Sequence, residues 1–259
     1  MKKSNVGFIR SKISSIVNQT AHELSHTAKT TENDFTAEFI RSICTNLSIC
    51  AGNFQPNGFS VSIALEYDMN YGANYYNFGP TDVALFDTRS FKITDCIGFE
   101  CKVLGTHYGP SHWKSVDFFF TGKHQPDKKD TDYNKGLHLK SGQQTHCQEG
   151  QLLKDYIKAI KILSQSKYYR SNIFYLVGVI IYNGLSGIPT AKTVRDNIEK
   201  LIMPYSTNKH YKLFYDIRSY HSNITEQIST IERFYVPARH YNSYSKLTFF
   251  PYVVEIERI

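Results

Sequence analysis

A continuous apolar run from Ile173 to Tyr182 limits the possible folds of this chain more than any other feature of its sequence. A strand with apolar side chains on both faces has to be covered on both faces, as the central strands of a sheet between helices are. The run therefore predicts a buried central strand.

Two periodicities alternate around this run. Apolar spacings of three and four indicate amphipathic helices, and strict alternation indicates strands with one buried face. The predicted elements are a helix over residues 7–28, a second helix capped by Asn33 or Asp34, strands over 61–67, 82–86 and 97–104, and a helix over 152–163. In this last helix, Lys154, Lys158 and Lys161 fall outside the apolar stripe.

Residues 33–182 thus run helix, strand, strand, strand, helix, strand, which predicts an α/β fold with a central mixed sheet flanked by helices. Further elements are predicted as a helix over 190–203, strands over 211–221 and 247–257, and a short helix over 224–231. Since no linker divides the chain, we interpret residues 1–259 as one domain, with a core over 33–182 and a C-terminal elaboration over 183–259.

Charge and cysteine content narrow the functional classes. A net charge of +7 and a pI of about 9.0 favour a polyanionic partner such as nucleic acid. The five cysteines show no CxxC pair and no regular spacing, which favours a reducing compartment and hence the cytoplasm. The sequence shows no signal peptide, membrane-length apolar run or nucleotide-binding loop, so we expect neither a membrane partner nor a nucleotide cofactor.

Two acidic residues and a lysine on neighbouring predicted strands form the strongest candidate site. Asp82 opens one strand, and Glu100 and Lys102 lie in the next. Because side chains alternate along a strand, Glu100 and Lys102 share a face, and a hairpin can carry Asp82 opposite them. Two carboxylates held close together repel, and a hard divalent cation such as Mg²⁺ relieves that repulsion.

This trio suits phosphodiester hydrolysis. Bound Mg²⁺ can polarise a phosphate oxygen and acidify a water molecule, and a lysine beside it can orient or deprotonate that water or stabilise transition-state charge. An acid two residues before a lysine occurs twice, at Glu100 and Asp127, and only the first lies in an apolar predicted strand. The alternative is a solvated ion pair between Glu100 and Lys102 on an exposed edge hairpin.

At these residues the chain resembles the PD-(D/E)xK superfamily, the restriction-endonuclease-like nucleases. The matching signature is Pro80-Thr-Asp82 followed by Glu100-Cys-Lys102, set in an αβββαβ core over residues 33–182. A threonine separates the proline from the aspartate, a departure that the superfamily tolerates.

The resemblance implies a set of site residues. Asp82 and Glu100 would bind Mg²⁺, with Mn²⁺ as a substitute, and Lys102 would support the attacking water. Some members add a glutamate from the first core helix, which indicates Glu38 as a further metal ligand. Some also place a glutamine on the helix after the motif, which indicates Gln151 as a nucleic-acid contact.

Residues 105–146 interleave basic and aromatic side chains, a pattern that suits phosphate contacts and base stacking, although a solvated loop can have the same composition. Lys123 and Lys140 are the candidate phosphate contacts there. Gln143 and Gln144 are candidates for reading base edges, because amides pair with adenine in the major groove.

A rival motif lies near the N-terminus, where His22-Glu23-Leu-Ser-His26 matches HExxH. On a helix, His22 and His26 share a face and can bind zinc, with Glu23 as general base of a protease. Against this interpretation, the histidines lie opposite the apolar stripe of their helix, and no third ligand stands out.

Together these features predict a Mg²⁺-dependent endodeoxyribonuclease that acts on double-stranded DNA, most like a type II restriction endonuclease. Such enzymes usually act as homodimers, because a two-fold symmetric DNA site needs two copies of one active site. A repair or mobile-element nuclease, or an antibacterial nuclease toxin, fits the same residues. So does a non-catalytic DNA-binding or assembly protein of the same fold.

Overall fold

The structure is a computed structural model, and the residues that it describes form the helices and strands and their immediate flanks. They are residues 3–26, 31–47, 61–67, 81–87, 96–105, 116–123, 148–164, 173–182, 190–207, 224–230, 234–237 and 246–258. The predicted strand over 211–221 and nearly all of the basic and aromatic segment lie outside these ranges.

Helices and strands alternate along the described part of the chain. The helices are α1 (Lys3–Leu24), α2 (Glu32–Asn46), α3 (Asp117–Thr121), α4 (Gln148–Ser164) and α5 (Ala191–Thr207). The strands are β1 (Val61–Tyr67), β2 (Thr81–Asp87), β3 (Cys96–Leu104), β4 (Ile173–Tyr182), β5 (Ile224–Thr230), β6 (Phe234–Pro237) and β7 (Lys246–Arg258). From α2 to β4 the predicted order is observed, with the short α3 added before α4. Of the described helices, none has the length and apolar character needed to cross a membrane.

The strands form one mixed sheet in the order β1-β2-β3-β4-β7-β5, with β6 also paired to β7. β1, β2 and β3 are antiparallel neighbours, β3 and β4 are parallel, and β4 is antiparallel to β7. β4 is buried along its length except at its last residue, Tyr182. The prediction of a buried central strand is therefore confirmed.

Helices cover both faces of this sheet. On one face, α1 and α2 pack against apolar side chains of β2, β3 and β4, where the ring of Phe99 lies 5.5 Å from Phe39 and 5.2 Å from Tyr175 between centroids. On the other face, α3, α4 and α5 pack against side chains that include Leu104, Leu176 and Tyr252. The predicted α/β architecture with a flanked mixed sheet is thus observed.

A polar contact on the face that α1 covers ties this helix to β4 and β7. The Glu255 carboxylate on β7 is 8% exposed and accepts hydrogen bonds from Arg10 Nε at 3.1 Å and from the Tyr175 hydroxyl at 2.8 Å. Burial is the main reason why the pKa of Tyr175 lies above its ordinary value. The contact joins a helix and two strands that are distant in sequence.

Three helix predictions need correction. α2 begins at Glu32, because the Thr31 hydroxyl accepts a hydrogen bond from the Asp34 backbone N–H at 3.1 Å and Asp34 Oδ2 accepts one from the Thr31 N–H at 2.9 Å. α1 ends at Leu24 instead of continuing to residue 28. Residues 224–230, predicted as a helix, form β5, because pairing with β7 along the whole segment outweighs the local spacing of its isoleucines.

Candidate functional site

Asp82 and Glu100 lie across from each other at one end of the paired part of β2 and β3. The ladder runs as far as the Val83 and Phe99 pair, so the next position outward sets Asp82 opposite Glu100. Asp82 Oδ2 accepts a hydrogen bond of 2.7 Å from the backbone N–H of Cys101. This bond holds the carboxylate against β3.

Glu100 and Lys102 point to the α4 side of the sheet, and Phe99 and Cys101 point to the α1 and α2 side, as strand alternation predicted. Glu100 is only 4% exposed, and β3 has a partner strand on each side. The alternative of a solvated ion pair on an edge hairpin is therefore wrong.

Three further charged side chains complete the cluster. Lys102 Nζ lies 2.9 Å from Glu32 Oε2, at the start of α2, and 3.3 Å from Asp155 Oδ2 on α4. Lys158, also on α4, places Nζ 2.5 Å from Glu100 Oε1. Four carboxylates thus surround two ammonium groups.

Burial dominates the electrostatics of the two strand carboxylates. It raises the pKa of Asp82 to about 6, against a lowering by the Cys101 N–H and a further raising by Glu32. Burial also raises the pKa of Glu100 well above its ordinary value, with Lys158 opposing and Asp82 reinforcing that change. Both carboxylates would be easier to ionise if a cation joined them.

Lys102 is held in its charged form. Burial by itself would lower its pKa, but the carboxylates of Asp155 and Glu32 outweigh burial and raise the pKa above the ordinary value. An ammonium in this position donates hydrogen bonds and stabilises negative charge, and it does not accept a proton at neutral pH.

The sequence interpretation missed Glu32, Asp155 and Lys158. Lys158 fell outside the apolar stripe of its helix, yet it is 3% exposed. Its spacing held a signal: Gln151, Asp155 and Lys158 follow one another at intervals of four and three, so they share one face of α4. Glu32 was missed because α2 was predicted to begin two or three residues later, after an N-cap at Asn33 or Asp34.

Glu38 is not brought to the cluster. Its Oε1 lies 2.6 Å from Arg41 Nη2, on the surface of α2. Six residues after Glu32, it stands about 9 Å further along the helix and on a different side of it. The glutamate that α2 contributes to the cluster is therefore Glu32, and the prediction of Glu38 as a metal ligand is corrected.

The predicted nucleic-acid contacts are only partly described. Gln151 is half-buried on the α4 face that carries Asp155, and Lys123 is exposed just after α3. Lys140, Gln143 and Gln144 lie outside the described residues.

A row of residues across three strands forms the floor beneath Lys102. Lys102 pairs with Gly178 on β4, and Gly178 pairs with Tyr252 on β7. A Cβ atom at Gly178 would lie 2.1 Å from the Lys102 carbonyl oxygen and 2.8 Å from the Tyr252 hydroxyl. That hydroxyl is fully buried and has no hydrogen-bond partner among the described residues. Only glycine fits at the centre of the row.

The HExxH motif extends past the end of its helix. α1 ends at Leu24, and the His26 N–H bonds the Glu23 carbonyl at 3.1 Å in a tightened last turn. His22 and His26 are both exposed, and Glu23 faces Arg41 at 3.6 Å. The two histidines are therefore not presented on one continuous helix.

The comparisons with known proteins add no relative. No protein family, curated protein or solved structure matches this chain.

The charges of the cluster fit one divalent cation. With every group ionised, the carboxylates of Glu32, Asp82, Glu100 and Asp155 outnumber the two ammonium groups by two negative charges. Within the described ranges, no three His, Cys, Asp or Glu side chains are already arranged as a metal site. Mg²⁺ does not need such a group, since it commonly binds one or two carboxylates together with waters and substrate phosphates.

Proposed function

We propose that this chain is a Mg²⁺-dependent endonuclease of the restriction-endonuclease-like fold that hydrolyses phosphodiester bonds in double-stranded DNA. The observation that carries the proposal is the meeting of Asp82, Glu100 and Lys102 beside the end of the β2 and β3 ladder, with Asp82 Oδ2 2.7 Å from the Cys101 backbone nitrogen. Two acids and a lysine in this arrangement provide the groups that metal-assisted hydrolysis needs.

The topology around the cluster supports the resemblance to the PD-(D/E)xK superfamily. Helix α2, strands β1 to β3, helix α4 and strand β4 follow the order αβββαβ, and β4 is parallel to β3. A net charge of +7 supports a polyanionic substrate. Within the superfamily we propose a type II restriction endonuclease that acts as a cytoplasmic homodimer.

Asp82 and Glu100 would hold the metal ion. When bound, Mg²⁺ or Mn²⁺ would polarise a phosphate oxygen and acidify a water molecule. The Cys101 N–H fixes the orientation of the Asp82 carboxylate, and the strand register keeps it across from Glu100. The two ligands are therefore positioned by backbone geometry before any cation arrives.

Lys102 would act as a cation and hydrogen-bond donor. Because Asp155 and Glu32 keep its ammonium protonated, it suits orienting the attacking water and stabilising charge that develops on the phosphate. This narrows the role that the sequence left open, since a protonated lysine cannot deprotonate the water.

Plasmid cleavage tests the proposal. We expect the wild-type protein with Mg²⁺ to cleave double-stranded DNA, and we expect Asp82→Asn and Lys102→Gln each to reduce the rate by roughly 100-fold or more. Discrete bands would support a sequence-specific enzyme, and a smear would support a non-specific nuclease.

Two surface variants on α5 serve as matched controls. Asp196→Asn matches Asp82→Asn, at a side chain that is 48% exposed. Lys192→Gln matches Lys102→Gln, at an exposed lysine. Both controls should cleave like the wild type. Absence of wild-type cleavage with Mg²⁺ and with Mn²⁺, on methylated and unmethylated DNA, would overturn the proposal.

A non-catalytic DNA-binding protein of the same fold is the second candidate. It is favoured by one observation: Lys158 and Lys102 already contact the carboxylates of Glu100 and Asp155. Such a protein would bind DNA in EDTA equally well with Asp82→Ala and would show no cleavage in either form. A gel-shift assay beside the cleavage assay separates the two candidates.

A further inference from the structure

Lys158 is a buried lysine inside a helix that packs on the sheet. It is 3% exposed, and its Nζ lies 2.5 Å from Glu100 Oε1. Burying an ammonium is costly unless an opposite charge accompanies it, so the pair needs both members. This ion pair links α4 to β3, two elements that are far apart in sequence.

The ammonium occupies the position beside Glu100 Oε1 that a cation bound to this oxygen would take. The proposed function makes Glu100 a metal ligand, and a divalent cation bound to Glu100 Oε1 would lie within a few ångströms of the Lys158 ammonium, where two buried positive charges repel each other strongly. Asp82 and Asp155 also interact electrostatically with Glu100, so the position is surrounded by negative charge. Lysine and metal ion would therefore compete for it.

Resting on the proposed function, we propose that Lys158 takes the place of the divalent cation against Glu100 in the metal-free protein and is displaced from Glu100 when the cation binds. The exchange keeps the buried carboxylate paired at all times. The exchange also affects the metal concentration at which the site becomes occupied, because the free energy needed to break the Lys158–Glu100 ion pair reduces the net free energy of metal binding.

Mn²⁺ binding in the absence of DNA tests this exchange. Isothermal titration calorimetry with MnCl₂ would compare wild type, Lys158→Met and Lys154→Met, the last a half-buried lysine on the same helix. We expect Lys158→Met to bind Mn²⁺ roughly tenfold more tightly than wild type, a gain of about 1.4 kcal/mol. Lys154→Met should bind like wild type.

Stability in EDTA provides a readout that is independent of catalysis. Lys158→Met leaves Glu100 buried without this partner, so it should melt at a lower temperature than wild type, and Glu100→Gln/Lys158→Met should recover part of the loss. If Lys158→Met does not fold in EDTA, we expect Mn²⁺ to restore folding, and Lys158→Gln would repeat the comparison. Failure of Mn²⁺ to restore either variant would overturn the exchange.

The outcomes separate this inference from the proposed function. If Asp82→Asn abolishes Mn²⁺ binding and wild type cleaves DNA, but Lys158→Met binds Mn²⁺ no more tightly than wild type, the exchange is wrong and the nuclease stands. If wild type binds no Mn²⁺, or binds it equally well with Asp82→Asn, the metal site itself is wrong and the proposed function fails with it.

Discussion

At the scale of single residues, Asp82 has opposing effects on stability and on the proposed activity. Its carboxylate is largely buried, and burial raises its pKa from 3.8 to about 6. Ionisation of Asp82 therefore weakens the metal-free fold, although ionised Asp82 is the form that would bind Mg²⁺. A buried carboxylate that binds a metal ion is expected to destabilise the metal-free fold in this way, because the positive charge that would pair with it is absent until the ion binds.

Asp82→Asn should stabilise the protein in EDTA above about pH 6. The folded-state pKa is raised, so the folded state binds more protons than the unfolded state between about pH 4 and 6, and wild-type stability falls over that interval. Asparagine keeps an oxygen for the Cys101 N–H and does not ionise. The expected advantage grows through this interval to at most roughly 3 kcal/mol.

Urea unfolding between pH 4.5 and 7.5 in EDTA measures this difference. Asp196→Asn, at an exposed site, should show no comparable growth of its effect with pH. An advantage of Asp82→Asn that stays constant across the range would contradict the assignment. In the cleavage assay the same substitution should be harmful, which separates stability from function.

At the scale of elements, the close approach of β3, β4 and β7 supports Lys102 from below. Gly178 allows this approach, since a Cβ there would lie 2.1 Å from the carbonyl oxygen of Lys102. The paired strands leave that carbonyl little freedom to move. The position of Lys102 therefore depends on a glycine that is distant in sequence.

Gly178→Ala should destabilise the protein by about 3 kcal/mol or more, because the added methyl group overpacks the strand pair. Gly7→Ala is the matched control: Gly7 lies in α1 with nothing within 4 Å of an added Cβ, so the change should stabilise by about 0.5–1 kcal/mol. Chemical denaturation measures both. Equal effects of the two substitutions would show that β4 does not approach Lys102 as described.

At the scale of the whole molecule, the strand β7 belongs to the same sheet as β1 to β4, although it lies beyond the predicted core of residues 33–182. β7 lies between β4 and β5, and its pairing with β4 extends from Ile173–Glu257 to Tyr182–Thr248. Without β7, the buried strand β4 would become an edge with unpaired backbone groups. Three of the four carboxylates of the cluster lie within residues 33–182, and Glu32 immediately precedes that range. The sheet that positions them is nevertheless completed by β7, residues 246–258.

A chain ending at residue 245 should therefore lose cooperative unfolding and show little native structure. Circular dichroism during heating would measure this, with a chain that lacks only Ile259 as the control. A cooperative thermal transition in the shorter chain, close to that of wild type, would mean that β7 is dispensable to the fold.

Local pattern was sufficient for much of the fold and for the centre of the candidate site. The pattern of apolar residues predicted α1, α2, α4, α5 and the strands from β1 to β4, because the periodicity of a helix or strand with one apolar side, or a continuous apolar run, is visible in its own segment of the sequence. Strand alternation put Glu100 and Lys102 on one face, since that relation needs no other part of the chain.

Tertiary structure decided the rest, because those features depend on contacts between distant segments. Residues 224–230 are a strand only because β7 pairs with them, and α4 buries Asp155 and Lys158 only because β3 presents charged partners. Glu32 belongs to the cluster, and Glu38 does not, because the Thr31 cap and the packing of α2 determine which end of that helix meets Lys102. The sequence by itself identified Asp82, Glu100 and Lys102 as the centre of the candidate site, and the fold decided which other charged side chains meet them.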